Sequence, residues 1–131
     1  MARHILLLNR AAGGTERGLL AGDICQTVQT IFREAGHHIE AFVIDPKNIE
    51  HEIRDAIASQ PDCLIIGGGD GSVSAAARLL GGTNIALGIL PMGTFNLAAR
   101  DLGVPLEIEA AARFLSEAQP LPIDVLRVSG H

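Results

Sequence analysis

At 131 residues the chain is about one domain long, enough to bury a substantial core. A net charge of −5 and only four aromatic residues, all Phe, argue against a nucleic-acid surface or a stacking platform for bases. No apolar run approaches the length needed to span a bilayer, so no integral membrane segment is expected.

Ile5-Leu6-Leu7-Leu8 follows a basic start but is too short for a signal peptide, which leaves a cytoplasmic protein as the expectation. Residues 4–8 read as a buried strand that runs into the loop Asn9-Arg10-Ala11-Ala12-Gly13-Gly14. Such a loop lies at the carboxyl edge of a parallel sheet, where α/β proteins hold ligands. Asn9 there either orients a ligand hydroxyl or stabilises the turn through its own backbone. Residues 19–35 carry Leu20, Ile24, Val28, Ile31 and Phe32 at helical spacing, with Gly36 as the stop. His37 and His38 have no partner at metal-ligand spacing and read as surface residues. Residues 39–44 form a second strand, alternating at first and then fully apolar, which Asp45-Pro46 ends. Ile49, Ile53, Ala56 and Ile57 give the apolar face of a second helix, and Glu50, Glu52, Arg54 and Asp55 give its solvated face. Cys25 and Cys63 lack C-x-x-C spacing and read as reduced, buried thiols.

Pro61-Asp62 opens a third strand, Cys63-Leu64-Ile65-Ile66, which runs into Gly67-Gly68-Gly69-Asp70-Gly71-Ser72 and then an Ala- and Leu-rich helix over 73–80. Glycines let the backbone turn sharply and let a bulky anion approach its N–H groups. The following helix aims N–H groups and a partial positive charge at the same spot. A Rossmann fingerprint fails because Ser72 holds the third glycine position, and a Walker loop fails because the chain's one lysine is Lys47. Phosphate charge must then be met by backbone amides, arginine or a metal. Asp70 would repel a phosphate unless a cation stood between them, which points to Mg²⁺ held directly or through water.

Residues 85–90 read as a fourth strand that runs into Pro91-Met92-Gly93-Thr94-Phe95-Asn96, followed by a short helix to Leu102. Pro105 starts another helix with Glu107 and Glu109 in its first turn, and residues 121–128 are a last strand-like stretch. Alternating strands and helices indicate an α/β fold, a three-layer αβα sandwich around a mostly parallel sheet. Loops after the first, third and fourth strands then share one edge. Asn9, the turn from Gly67 to Ser72, and Gly93, Thr94 and Asn96 would surround a common crevice.

Gly68-Gly69-Asp70-Gly71-Ser72, Leu87-Gly88-Ile89-Leu90-Pro91-Met92-Gly93-Thr94-Phe95-Asn96 and Ala98-Ala99-Arg100-Asp101-Leu102-Gly103-Val104-Pro105 together resemble the diacylglycerol kinase catalytic-domain family. That family includes bacterial lipid kinases and sphingosine kinases and is distantly related to the NAD kinases. The resemblance covers nearly the whole chain as an N-terminal nucleotide-binding domain.

It implies ATP-dependent phosphoryl transfer to a lipid hydroxyl with Mg²⁺. The family's phosphate turn maps onto Gly68 to Ser72, and its second turn onto Gly93, Thr94 and Asn96, with Thr94 the expected ATP contact. Asn9 matches an Asn-Pro pair in which Arg10 replaces the proline. Asp45 stands where relatives place a threonine near the nucleotide, and Leu97 where many carry an aspartate. Asp70 is the one residue here assigned to catalysis and metal.

Family members continue into a β-rich second domain that supplies the lipid pocket and the catalytic base. Residues 121–131 resemble the crossing into it, so residues 1–131 alone are expected to be inactive. An NAD kinase-like phosphotransferase and a non-catalytic nucleotide-binding module are the alternatives. The lipid acceptor implies visits to a membrane surface, and the apolar stretch at 121–128 suggests a homodimer through an unpaired strand.

Overall fold

A computed structural model describes residues 3–10, 21–91, 103 and 108–117. In chain order these form β1 (Arg3–Asn9), α1 (Ala21–Glu34), β2 (His38–Ile44), a 3₁₀ turn (Pro46–Asn48) and α2 (Ile49–Ala58). They continue with β3 (Cys63–Gly68), α3 (Asp70–Leu80), β4 (Ala86–Pro91) and α4 (Ile108–Glu117). The expected helix before Leu102 and the stretch at 121–128 lie outside the described residues, as do Leu19, Leu20 and Glu107.

The four strands make one parallel sheet in the order β2-β1-β3-β4. Helices α1 and α4 pack together on one face, and α2 and α3 on the other, which gives the three layers expected from the alternation. This explains why Ile5 to Leu8 and Cys63 to Ile66 show no polar alternation: a parallel strand covered on both faces is apolar throughout. In α1, Ile24, Val28, Ile31 and Phe32 are all buried, so the helical spacing delivers its stripe to the sheet. Ile53 and Ala56 do the same for α2, while its solvated face reaches α3 through Glu50 and Arg78, 3.1 Å apart.

Three expectations change. Gly67 and Gly68 belong to β3, paired with Leu90 and Pro91 of β4, so the turn starts only at Gly69 and the helix already at Asp70. β2 is an edge strand, and Phe42 and Val43 are exposed despite the apolar run that contains them. His37 is not a surface residue. Its Nε2 lies 2.7 Å from the carbonyl oxygen of Ser116, and its ring meets that of buried His4 edge-on at 4.9 Å. The last carbonyls of a helix need donors from outside it, and His37 supplies one to α4 through a protonated Nε2. His38 is exposed, as expected.

Both cysteines are free and buried. Desolvation pushes the Cys63 thiol up to about 12 from an ordinary value of 9.0, outweighing a backbone hydrogen bond from Gly88. The unfolded chain therefore sheds this proton first, and stability falls as pH rises between those values. At pH 10 the loss should be about 1.4 kcal/mol, one pH unit above the unfolded value. Urea melts at pH 8 and pH 10 check this, because Cys63→Ala should remove that part of the pH dependence. No described helix is long and apolar enough to cross a membrane.

Candidate functional site

The strand order reverses between β1 and β3. From β1 the chain continues into the face that holds α1, and from β3 into the face that holds α3. The carboxyl ends of these two neighbours are therefore the topological switch point, where diverging connections leave a crevice in open α/β sheets. Asn9 closes one side of it and the start of α3 the other.

Two contacts define the crevice. The Asn9 side-chain amide donates to Ser72 Oγ at 3.4 Å, tying the end of β1 to the first turn of α3. Beneath that contact lies Gly68, where an added Cβ would stand 3.1 Å from Ser72 Cβ and Oγ and 3.5 Å from Asn9 Cβ. Gly68 lets the Asn9 and Ser72 side chains close over it, because they leave little room for a side chain of its own. Its neighbour Gly67 faces the core instead, against Leu8 and Leu90.

Gly69 is the N-cap of α3 and, having no side chain, makes no side-chain capping bond. Asp70 and Ser72 both lie within the helix. The first backbone bond closing the helix runs from Val73 N to Gly69 O at 3.1 Å. N–H groups in the first turn have no acceptor within the helix, so they and the helix dipole favour an anion at this end. Asp70 and Ser72 are half-buried there and Gly71 is exposed.

Asn9, Gly68, Gly69, Asp70, Gly71 and Ser72 thus gather at one sheet edge, while Gly67 is packed between Leu8 and Leu90 inside the sheet. β4 ends at Pro91, in register with Gly68, so the fourth strand points to that same edge. Gly93, Thr94 and Asn96 lie outside the described residues. Among the described residues, the acidic and imidazole groups close enough to share an ion are His51, Glu52 and Asp55 on α2, a set without Asp70.

One pair at this edge went unread in the sequence. Arg10 Nη2 lies 2.7 Å from Asp45 Oδ2, joining the residues that leave β1 and β2. Asp45 Oδ1 also accepts from Lys47 N at 3.0 Å, which caps the 3₁₀ turn. The available signal was two parallel strands ending in residues of opposite charge, Asn9-Arg10 and Ile44-Asp45.

Comparison with known proteins gives a consistent set of likenesses. Residues 3–128 match the family described as "Diacylglycerol kinase catalytic domain". A protein named "Diacylglycerol kinase" from Mycobacterium tuberculosis is 39% identical over 85 residues, 64% of this chain and 28% of the relative. One named "Probable lipid kinase YegS-like" from Cronobacter sakazakii is 32% identical over 133 residues, 98% of this chain and 42% of the relative. A crystal structure of a diacylglycerol kinase from Bacillus anthracis matches with a TM-score of 0.69 at 26% identity, over 88% of this chain and 42% of that one. The chain thus spans less than half the length of each of these proteins.

Proposed function

Since the chain belongs to the diacylglycerol kinase catalytic-domain family, we propose that its crevice binds ATP with Mg²⁺ for phosphoryl transfer to a diacylglycerol-like lipid hydroxyl. The observation that carries this reading is the Asn9–Ser72 contact over side-chain-free Gly68, at the switch point and at the start of α3. A phosphate has room at the exposed start of α3, where nothing lies within 4 Å of a Cβ built on Gly71 and the first-turn N–H groups lack helical acceptors.

In this reading the first-turn amides of α3 receive phosphate oxygens, which requires no lysine. Asn9 and Ser72 hold the two walls together, so the amides are oriented before the ligand arrives. Asp70, at the rim, would bind Mg²⁺ through water. When bound, that ion supplies charge neutralisation between Asp70 and the phosphates. Thr94, with Gly93 and Asn96, is assigned to the nucleotide by resemblance to the family.

The test is calorimetric titration with ATP, with and without Mg²⁺. Saturable binding strengthened by Mg²⁺ is expected, and no binding at millimolar ATP would overturn the reading. The acceptor class is read as label passing from γ-labelled ATP to diacylglycerol in detergent micelles.

Asp70→Asn should weaken the Mg²⁺-dependent part of ATP binding severalfold, since Asn keeps the shape but not the charge. A half-buried group in a first helical turn contributes little to the core, so the melting curve should shift by less than about 0.5 kcal/mol. A variant that unfolds, with ATP affinity intact in its folded fraction, would make Asp70 structural.

A further inference from the structure

We propose that Arg10 is a phosphate-contacting residue of the crevice, parked on Asp45 until an anionic ligand takes it over; this rests on the nucleotide reading above. Arg10 directly follows Asn9, whose amide reaches Ser72 at the start of α3. Its own N–H donates to the Ile44 carbonyl oxygen at 3.1 Å, which fixes the backbone between the carboxyl ends of β1 and β2. The guanidinium rests on Asp45, on the β2 side of β1 and one strand away from the switch point, while its side chain stays 63% exposed and able to swing.

The charge inventory singles it out. The chain has no lysine near the glycine turn, its one lysine being Lys47. Among the described residues, Arg33, Arg54, Arg78 and Arg113 lie within helices, and Arg3 stands at the opposite end of β1. Arg10 and Lys47 are the described cations on the segments that leave the carboxyl ends of the strands. Of these two, Arg10 adjoins the residue that borders the crevice.

The exchange of partners asks for little. An exposed ion pair such as Arg10–Asp45 contributes weakly to stability, so releasing it is cheap. Asp45 keeps Lys47 N on its Oδ1 when Arg10 leaves. A polyphosphate, in turn, offers guanidinium a more highly charged, bidentate partner than one carboxylate does. Asp45 thus holds the arginine near the site and competes with the ligand for it. The contact reads phosphate and not the nucleoside, and this sets the test.

Calorimetric titrations of the parent chain, Arg10→Ala, Asp45→Asn and the double variant would use Mg·ATP, Mg·ADP and adenosine. Arg10→Ala keeps the backbone bond to Ile44 and should weaken Mg·ATP roughly tenfold, the low end for a hydrogen bond to a charged group. Adenosine binding should not change. Asp45→Asn leaves an acceptor for Lys47 N and should tighten Mg·ATP about threefold by removing the competitor. In the Arg10→Ala background that gain should vanish. Equal ATP affinity in the parent and Arg10→Ala would overturn the inference and leave the nucleotide reading standing. A parallel loss for ATP and adenosine would assign Arg10 a structural role and overturn it too, as would a gain from Asp45→Asn that survives without Arg10. If the parent chain binds no ATP at all, the nucleotide reading fails and carries this inference with it.

Discussion

Gly68→Ala should weaken Mg·ATP binding roughly ten- to hundredfold, the loss of about one hydrogen bond to a charged group, while the fold survives. The new methyl would stand 3.1 Å from Ser72 Cβ and Oγ and 3.5 Å from Asn9 Cβ, pushing apart the two side chains that border the crevice. At 3.1 Å the neighbour has to give way by a few tenths of an ångström, and the neighbour is the first turn of α3. Ser72 would shift relative to Asn9, and the 3.4 Å bond between them is already long enough to be lost. The fold has less at stake. Gly68 is the last residue of β3 and has no left-handed backbone angle to protect. Alanine also restricts the unfolded chain, which offsets part of any strain. A melting shift under about 1 kcal/mol is expected. Binding and melting measured on the same preparation decide it. An affinity loss no larger than the stability loss implies would mean that the Asn9–Ser72 contact over Gly68 does not shape a ligand site.

Much of this site is legible in the amino-acid sequence, and the reasons are physical. A run such as Ile5-Leu6-Leu7-Leu8 is apolar on both sides only if both faces are covered, so β1 already implies a parallel sheet between helix layers. The α1 stripe at Ile24, Val28, Ile31 and Phe32 then supplies one such layer. With β1 and β3 in place, Asn9 and the glycine run had to reach the same edge.

What escaped was decided by partners remote in sequence. Gly67 and Gly68 carry no side-chain pattern, and what makes them strand is pairing with Leu90 and Pro91. His37 looked solvent-facing because its acceptor, Ser116, comes 79 residues later. Phe42 and Val43 are exposed because the order β2-β1-β3-β4 leaves β2 at an edge, which no local signal in the strand announces. Arg10 and Asp45 are 35 residues apart, and only the register of β1 on β2 brings them together.

The two neighbouring glycines have opposite duties, so Gly67→Val should damage the fold first. Gly67 lies between Leu8 of β1 and Leu90 of β4, and both leucines are fully buried. A Cβ there would fall on Leu8 Cδ1 and stand 3.5 Å from Leu8 Cα and Leu90 Cδ2. The end of a leucine can rotate away where there is room, but a close-packed interior offers little. A single methylene forced into such a core costs about 1–3 kcal/mol, and valine brings two further methyls. The expected loss is about 3 kcal/mol or more, a large share of the roughly 5–15 kcal/mol typical of a domain. Thermal melting should fall by roughly 10 °C. Trimming the obstacle separates packing from backbone effects: Leu8→Ala alone should destabilise by leaving a cavity, yet added to Gly67→Val it should restore part of the loss. A double variant whose losses simply add would show that Leu8 is not what valine meets. A Gly67→Val protein within about 1 kcal/mol of the parent would show that this part of the sheet has slack, contrary to its full burial.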